Sequence, residues 1–157
     1  MRDYQKQLFL EQAKHIYKIF PINGRRVIGT DIILAGDDII DFLRGSSEII
    51  IMAVTLGFEA DRQISLAQKI SMANALALDR AGSKAIEEVC NNIQAEISDK
   101  FQITKHRYSC GYGDLPLSIQ PKILKALDTQ RKIGLFCNEN NLMIPMKSVT
   151  AFLGVYK

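Results

Sequence analysis

Cysteine is scarce: the 157 residues hold three, Cys90, Cys110 and Cys137. They are too few and too scattered for a disulfide framework or a Cys-x-x-Cys metal site. Histidine is scarcer still, and with only His15 and His106 a His/Cys zinc site would need distant residues to converge. No apolar run reaches the roughly 18 residues that a membrane-spanning helix needs. The opening MRDYQKQLFLEQAKH is mixed in charge and lacks the basic-then-apolar layout of a signal peptide, so a cytoplasmic protein is expected. Charge of one sign is lacking too: 20 Lys and Arg stand among 17 Asp and Glu, a net charge of +3. Without a basic block interleaved with aromatics, nucleic-acid binding has no footing. No repeat, linker or low-complexity stretch divides the chain.

What is there is ordinary globular material, 47% hydrophobic and 24% charged, enough for one domain over residues 1–157 with a real core. Residues 4–14 carry a short amphipathic helical pattern. His15–Phe20 alternates and is followed by Asn23-Gly24 and Arg25–Ile28, a hairpin signal. Ile32 to Leu34 extends the second strand. Asp37 and Asp38 are acidic N-cap candidates for a short helix over Asp38–Leu43. Glu48–Thr55 is continuously apolar after its first residue and reads as a buried central strand. Glu59–Lys100 reads as helix with a break near Ile70-Ser71. In its second part Met72, Ala75, Leu76, Leu78, Ala81, Ala85, Ile86, Val89, Ile93 and Ile97 form a stripe that packs on a sheet. Ser118 caps a further helix carrying Ile119, Ile123, Leu124 and Leu127 inward, with Pro121 in its first turn. Ile133–Phe136 and Leu142–Ile144 flank a turn over Cys137–Asn141, and Val149–Tyr156 is a last strand. Hairpins with helices grouped between them predict an α+β fold, a mostly antiparallel twisted sheet with helices packed on it.

The ten residues Arg107-Tyr-Ser-Cys-Gly-Tyr-Gly-Asp-Leu-Pro116 are the most informative stretch. Arg107 offers a rigid fork of donors for a carboxylate or phosphate. Gly111 and Gly113 let main chain lie close to a ligand, and Tyr112 supplies a flat apolar face with a hydroxyl at its edge. Together they describe a shallow site for a small molecule with a carboxylate and a flat ring; an ordinary Gly-rich turn beside an exposed Arg is the plainer reading.

Arg107, Gly111, Tyr112 and Pro116 match in register the Arg-x-x-x-Gly-Tyr signature, with its later Pro. The stretch thus resembles the S-adenosylmethionine-binding activation domain of cobalamin-dependent methionine synthase. Leu76–Ile97 and Ile144–Phe152 are similar to short stand-alone members of that family. Cys110 departs from its pattern, which usually has Pro there. The resemblance implies S-adenosylmethionine as ligand, with Arg107 on its carboxylate and Gly111, Tyr112 and Gly113 against it. Ser148, in the similar C-terminal stretch, is a weaker candidate for a polar contact, with an ordinary strand-surface Ser as the plainer reading. It also implies cobalamin carried by a partner, a methionine synthase or other corrinoid protein, whose inactive cob(II)alamin is reductively methylated with an electron from a flavodoxin-like donor. An acidic side chain holding the ligand ammonium maps to no single residue: Asp37, Asp38, Asp41, Glu87 and Glu88 all qualify. Beginning at Met1, the chain is short at its N-terminus beside longer members.

Three functions therefore compete: an accessory subunit that reactivates a separate methionine synthase, an S-adenosylmethionine-binding partner of another corrinoid methyltransferase, and an independent thiol enzyme built on Cys110 and His106. The third is handicapped by spacing, since residues four apart on an extended segment lie about 13 Å apart.

Overall fold

The structure, a computed structural model, describes residues 2–156. Helix α1 (Arg2–Gln12) leads into a hairpin of β1 (Lys14–Asn23) and β2 (Arg26–Val27). Asn23 pairs with Arg26, so the turn sits at Gly24-Arg25, one residue beyond the position expected, with Gly24 at φ 61°. Ile32–Leu34 does not extend β2. Thr30 folds the chain back by donating N–H and Oγ1 to the Val27 carbonyl at 3.2 and 2.8 Å, and Ile33 returns for a single bridge with Arg26.

Strand β3 (Ser46–Thr55) lies at the centre of an antiparallel sheet ordered β2-β1-β3-β6, the last strand being Ser148–Tyr156. Side chains alternate across a strand, and both faces of β3 are covered. Ile49, Ile51 and Ala53 point into one apolar cluster, Ile50, Met52 and Val54 into another. That double burial is why β3 reads as an unbroken apolar run. The fold is α+β, an antiparallel four-stranded sheet with helices on it.

One face carries α1, α3 (Phe58–Ile70) and the 27-residue α4 (Met72–Ser98). Ser71 separates α3 from α4. Its backbone is extended and its hydroxyl accepts from Asn74 N–H at 3.3 Å, capping α4. Ala75, Ala85, Ile86, Cys90, Ile93 and Ile97 are buried along α4. Met72 and Leu76, expected on that stripe, are 60% and 53% exposed. Leu76 follows buried Ala75 by about 100° around the helix, which turns it off the packed face.

The opposite face carries α2 (Asp37–Phe42), α5 (Gln120–Leu127) and α6 (Thr129–Ile133), with a small hairpin of β4 (Phe136–Cys137) and β5 (Met143–Ile144). Ile133 closes a helical turn and does not start a strand, because buried Thr129 Oγ1 donates to the Leu135 carbonyl at 2.8 Å and folds the chain tightly there. Ser118 caps nothing. Pro116 is the N-cap of a 3-10 turn, Leu117–Ile119, that runs into α5 without a side-chain cap.

Helix α2 is capped from far away in sequence. Its N-cap is Gly36, which has no side chain to offer, and Asp37 and Asp38 lie inside the first turn. Asp114 supplies the cap: its carboxylate accepts from Asp37 N–H at 2.8 Å and Asp38 N–H at 3.0 Å. Asp38 Oδ2 accepts Asp114 N–H at 3.3 Å in return. Backbone N–H groups at a helix N-terminus favour a charged carboxylate, and they hold the Asp114 carboxyl below its ordinary range. The folded value is depressed, so this stabilisation is complete above the unfolded carboxylate value, about 4. It is lost as pH falls through the lower folded value. Asp114→Ala should therefore lower the melting temperature at pH 6, and melts across the acid range should show the gap to wild type closing below about pH 4.

Candidate functional site

The site begins at the free edge of β6. β3 occupies one side of that strand, and unpaired N–H and C=O groups on the other would cost free energy if left buried. The segment 102–108 covers them as an interrupted fifth strand. Tyr156 N–H donates to the Gln102 carbonyl at 2.8 Å, Thr104 N–H to Gly154 at 2.9 Å, and Tyr108 exchanges both bonds with Phe152 at 3.0 and 2.6 Å. Between Thr104 and Tyr108, three residues stand opposite Leu153 alone, so the segment bulges. Thr104 Oγ1 closes the base of the bulge, accepting from Gly154 N–H and donating to the His106 carbonyl, both at 3.1 Å. Gly154 permits this approach, since a Cβ there would meet Ser46 Oγ and come within 2.9 Å of Thr104 Cγ2.

The bulge lifts Lys105, His106 and Arg107 toward α4. Glu87, Asn91 and Gln94 recur at i, i+4 and i+7, a spacing that puts them on one helix face. Arg107 Nη1 donates to Gln94 Oε1 at 2.7 Å and Asn91 Oδ1 at 2.9 Å, and Nη2 donates to Glu87 Oε1 at 2.9 Å. A guanidinium has five N–H groups. Three are engaged and two, Nε–H among them, have no partner among the described residues. The Arg107 side chain is 17% exposed and that of Glu87 66%. Together with Val149 and Ala151 of β6 and the buried Cys90, these residues line an open cleft of ≈ 930 Å³ between α4 and the bulge.

The Gly-Tyr loop lies elsewhere. Tyr108 follows Arg107 and points through to the opposite face, into the cluster containing Ile39 and Leu115. Its hydroxyl donates to the Tyr112 carbonyl at 2.9 Å. Tyr112 stands edge-on to the Tyr108 ring at 5.7 Å and is 72% exposed. Gly113 has φ 56° and no room for a side chain, because a Cβ would strike Asp38 Oδ2 and Tyr108 Oη. Gly111, at φ 85°, donates its N–H to the Leu115 carbonyl at 2.8 Å. These glycines make a tight loop packed against the α2 end. Of the residues singled out in the sequence, Arg107 lines the cleft, whereas Gly111, Tyr112 and Gly113 do not.

Ser148 is also elsewhere. It is 8% exposed, with Oγ 2.6 Å from the Pro145 carbonyl and 2.7 Å from Thr55 Oγ1, so its hydroxyl is engaged within the fold, outside the cleft. Ser109 reaches the cleft instead, donating Oγ to the Thr150 carbonyl at 2.7 Å. Among the acidic candidates, Glu87 alone lines the cleft. Asp37 pairs with Arg25, Asp41 with Arg44 and Glu88 with Lys6, while Asp38 faces Asp114. Asn91 and Gln94 escaped sequence reading because polar residues on a long helix resemble any solvated face; their spacing from Glu87 was the available signal.

The thiol pairing does not form. His106 is exposed on the bulge, whereas Cys110 packs against the opposite core and donates Sγ to Gln120 Oε1 at 3.2 Å. The same oxygen accepts from Thr150 Oγ1 at 2.6 Å. Burial pushes the Cys110 thiol up to about 11, the reverse of what a nucleophile needs. Cys90 is likewise raised by burial to about 11, with Arg107 opposing the shift.

No family model matches the sequence, and no curated protein matches it. The fold itself has a counterpart among solved structures: an α+β domain of the same antiparallel architecture, matched over 92% of this chain with a TM-score of 0.69. That counterpart is the crystal structure of the MetH reactivation domain bound to AdoHcy. Identity is 17%, which establishes likeness of fold, and the match covers 58% of that chain. Among the described residues no helix is long and apolar enough to cross a membrane, and no cluster of His, Cys, Asp and Glu is arranged to hold a metal.

The raised thiols give a direct check. At pH 8, iodoacetamide should label Cys90 and Cys110 at less than about a tenth of the rate for free cysteine, whose ordinary value is about 8.5. Mass spectrometry of timed digests reads the rate at each site.

Proposed function

We propose that this chain binds S-adenosylmethionine in the cleft between α4 and the bulge beside β6. Its role is to present that ligand to a separate cobalamin-dependent methionine synthase for reductive methylation of cob(II)alamin. The observation that carries this reading is Arg107: a mostly buried guanidinium with two free N–H groups, at the wall of a cleft. The fold likeness supports it, since the matched domain holds AdoHcy, the demethylated form of S-adenosylmethionine.

The residues present suit the ligand. Its methionyl end is a zwitterion, and the cleft offers both signs at once, Arg107 for the carboxylate and Glu87 for the ammonium. Val149, Ala151 and Cys90 offer apolar surface to the nucleoside, and the cleft volume is in the range of small-molecule sites. S-adenosylmethionine supplies an activated methyl group on its sulfonium. The chain's own residues bind and orient: the carboxylate docks on Arg107, whose pose is set before the ligand arrives by Glu87, Asn91 and Gln94. Holding two reactants in place is where most of the benefit arises. The corrinoid partner docks over the mouth of this cleft, because the methyl group has to be presented there; Tyr112, exposed on the other face, lies outside that contact. A flavodoxin-like donor supplies the electron to that complex.

Calorimetric titration with S-adenosylmethionine tests the proposal. Losing a charged hydrogen bond costs about 1.5–3 kcal/mol, so Arg107→Ala should raise Kd at least about tenfold. Glu87→Gln should also weaken binding, whereas Ser148→Ala should leave it unchanged. Equal affinities in wild type and Arg107→Ala would refute the assignment.

A further inference from the structure

We infer that Gln94, one wall of the cleft, acts as a positioning residue that fixes where Arg107 meets the ligand; this rests on the cleft being the S-adenosylmethionine site. The bulge is tied to the sheet at its two ends, by Thr104 and Tyr108. Between those ends the backbone of residues 105–107 makes no ladder bond to β6, and Thr104 Oγ1 to the His106 carbonyl is a bond internal to the segment. Among the described residues, the one tie from the rest of the protein to the backbone of this stretch is Gln94 Nε2, donating to the Lys105 carbonyl at 3.0 Å.

The same carboxamide turns its oxygen to Arg107 Nη1 at 2.7 Å. One planar group therefore sets both the path of the bulge and the direction of the side chain that leaves it two residues later. The role demands a donor and an acceptor on a single side chain of this length. Glutamate keeps the acceptor but cannot donate to Lys105 when ionised, and alanine keeps neither. Asn91 and Glu87 contact the guanidinium alone, so they hold the side chain without holding the main chain that carries it. Arg107 is then poised with Nε–H and one further N–H unpaired, and the remaining donors immobilised.

Gln94→Ala and Gln94→Glu test this, with amide hydrogen exchange on the ligand-free proteins and calorimetry on the same samples. Alanine is the best helix former, so α4 should be kept, and a thermal melt confirms it. Exchange at the Thr104 and Tyr108 amides, whose N–H groups bond β6 at the two ends of the bulge, should quicken at least tenfold in both variants, because both lose the bond that ties the bulge to α4. Gln94→Ala should raise Kd for S-adenosylmethionine at least fivefold. It should change binding of 5′-methylthioadenosine, which shares the nucleoside but has no amino-acid end, by less than twofold. Unchanged exchange overturns the inference, as does an equal loss for both ligands, which would make Gln94 a contact to the nucleoside rather than a support for Arg107. If wild type binds neither compound, the ligand assignment fails, and exchange still decides whether Gln94 sets the bulge.

Discussion

The architecture depends on how the outer edge of β6 is satisfied. A regular fifth strand would have closed that edge flat and left no cleft beside α4. Instead, Thr104 and Tyr108 make their ladder bonds two β6 residues apart, with three intervening residues for one partner. The surplus backbone has to leave the sheet, and α4 is what it meets. A hydroxyl at Thr104 and the bare Gly154 opposite make the departure compact. The cleft is the space left between the displaced segment, the helix and the strand it abandons.

From that one irregularity the short motif is divided between two environments. Alternation along the edge sends Arg107 to the α4 face and Tyr108 to the other. From Cys110 to Asp114 the loop belongs to the second face, where Asp114 caps α2 and Gly113 fits against Asp38. Burial, with the Asp38 and Asp114 carboxylates adding to it, raises the Tyr108 hydroxyl and keeps it a neutral donor to Tyr112. Gln120 joins the loop to β6 by accepting from Cys110 and from Thr150. Loop and cleft are thus coupled through a single strand edge, one supplying rigidity and an exposed Tyr112, the other supplying charge.

Much of the fold was legible in sequence because local physics governs it. β3 had to be apolar on both faces, Ser71 interrupts a helical run with a hydroxyl in capping position, and the Asn-Gly pair lies within one residue of its turn. The misreadings come from long-range contacts that override local signals. Asp37 and Asp38 are good caps by type, yet Asp114 takes the role from 76 or 77 residues away. Ser118 lost its role to Pro116, and Ile133 was drawn into a helix by Thr129. Among the residues that line the cleft, Arg107 stood out in the sequence because it lies beside two glycines. Glu87 was one of five acidic candidates, and no local feature distinguished it until Arg107 was placed against α4. The glycines of the motif were read as a ligand cradle, whereas in the structure they form a loop packed against the α2 end, outside the cleft.

The account stands most directly on where the ligand sits. A crystal structure of this chain grown with S-adenosylmethionine or AdoHcy would show it. Density in the cleft, with the ligand carboxylate on Arg107 and its ammonium beside Glu87, is the result predicted. A ligand lodged against Gly111–Gly113 on the other face, leaving the contacts from Arg107 to Glu87, Asn91 and Gln94 as they are, would contradict it.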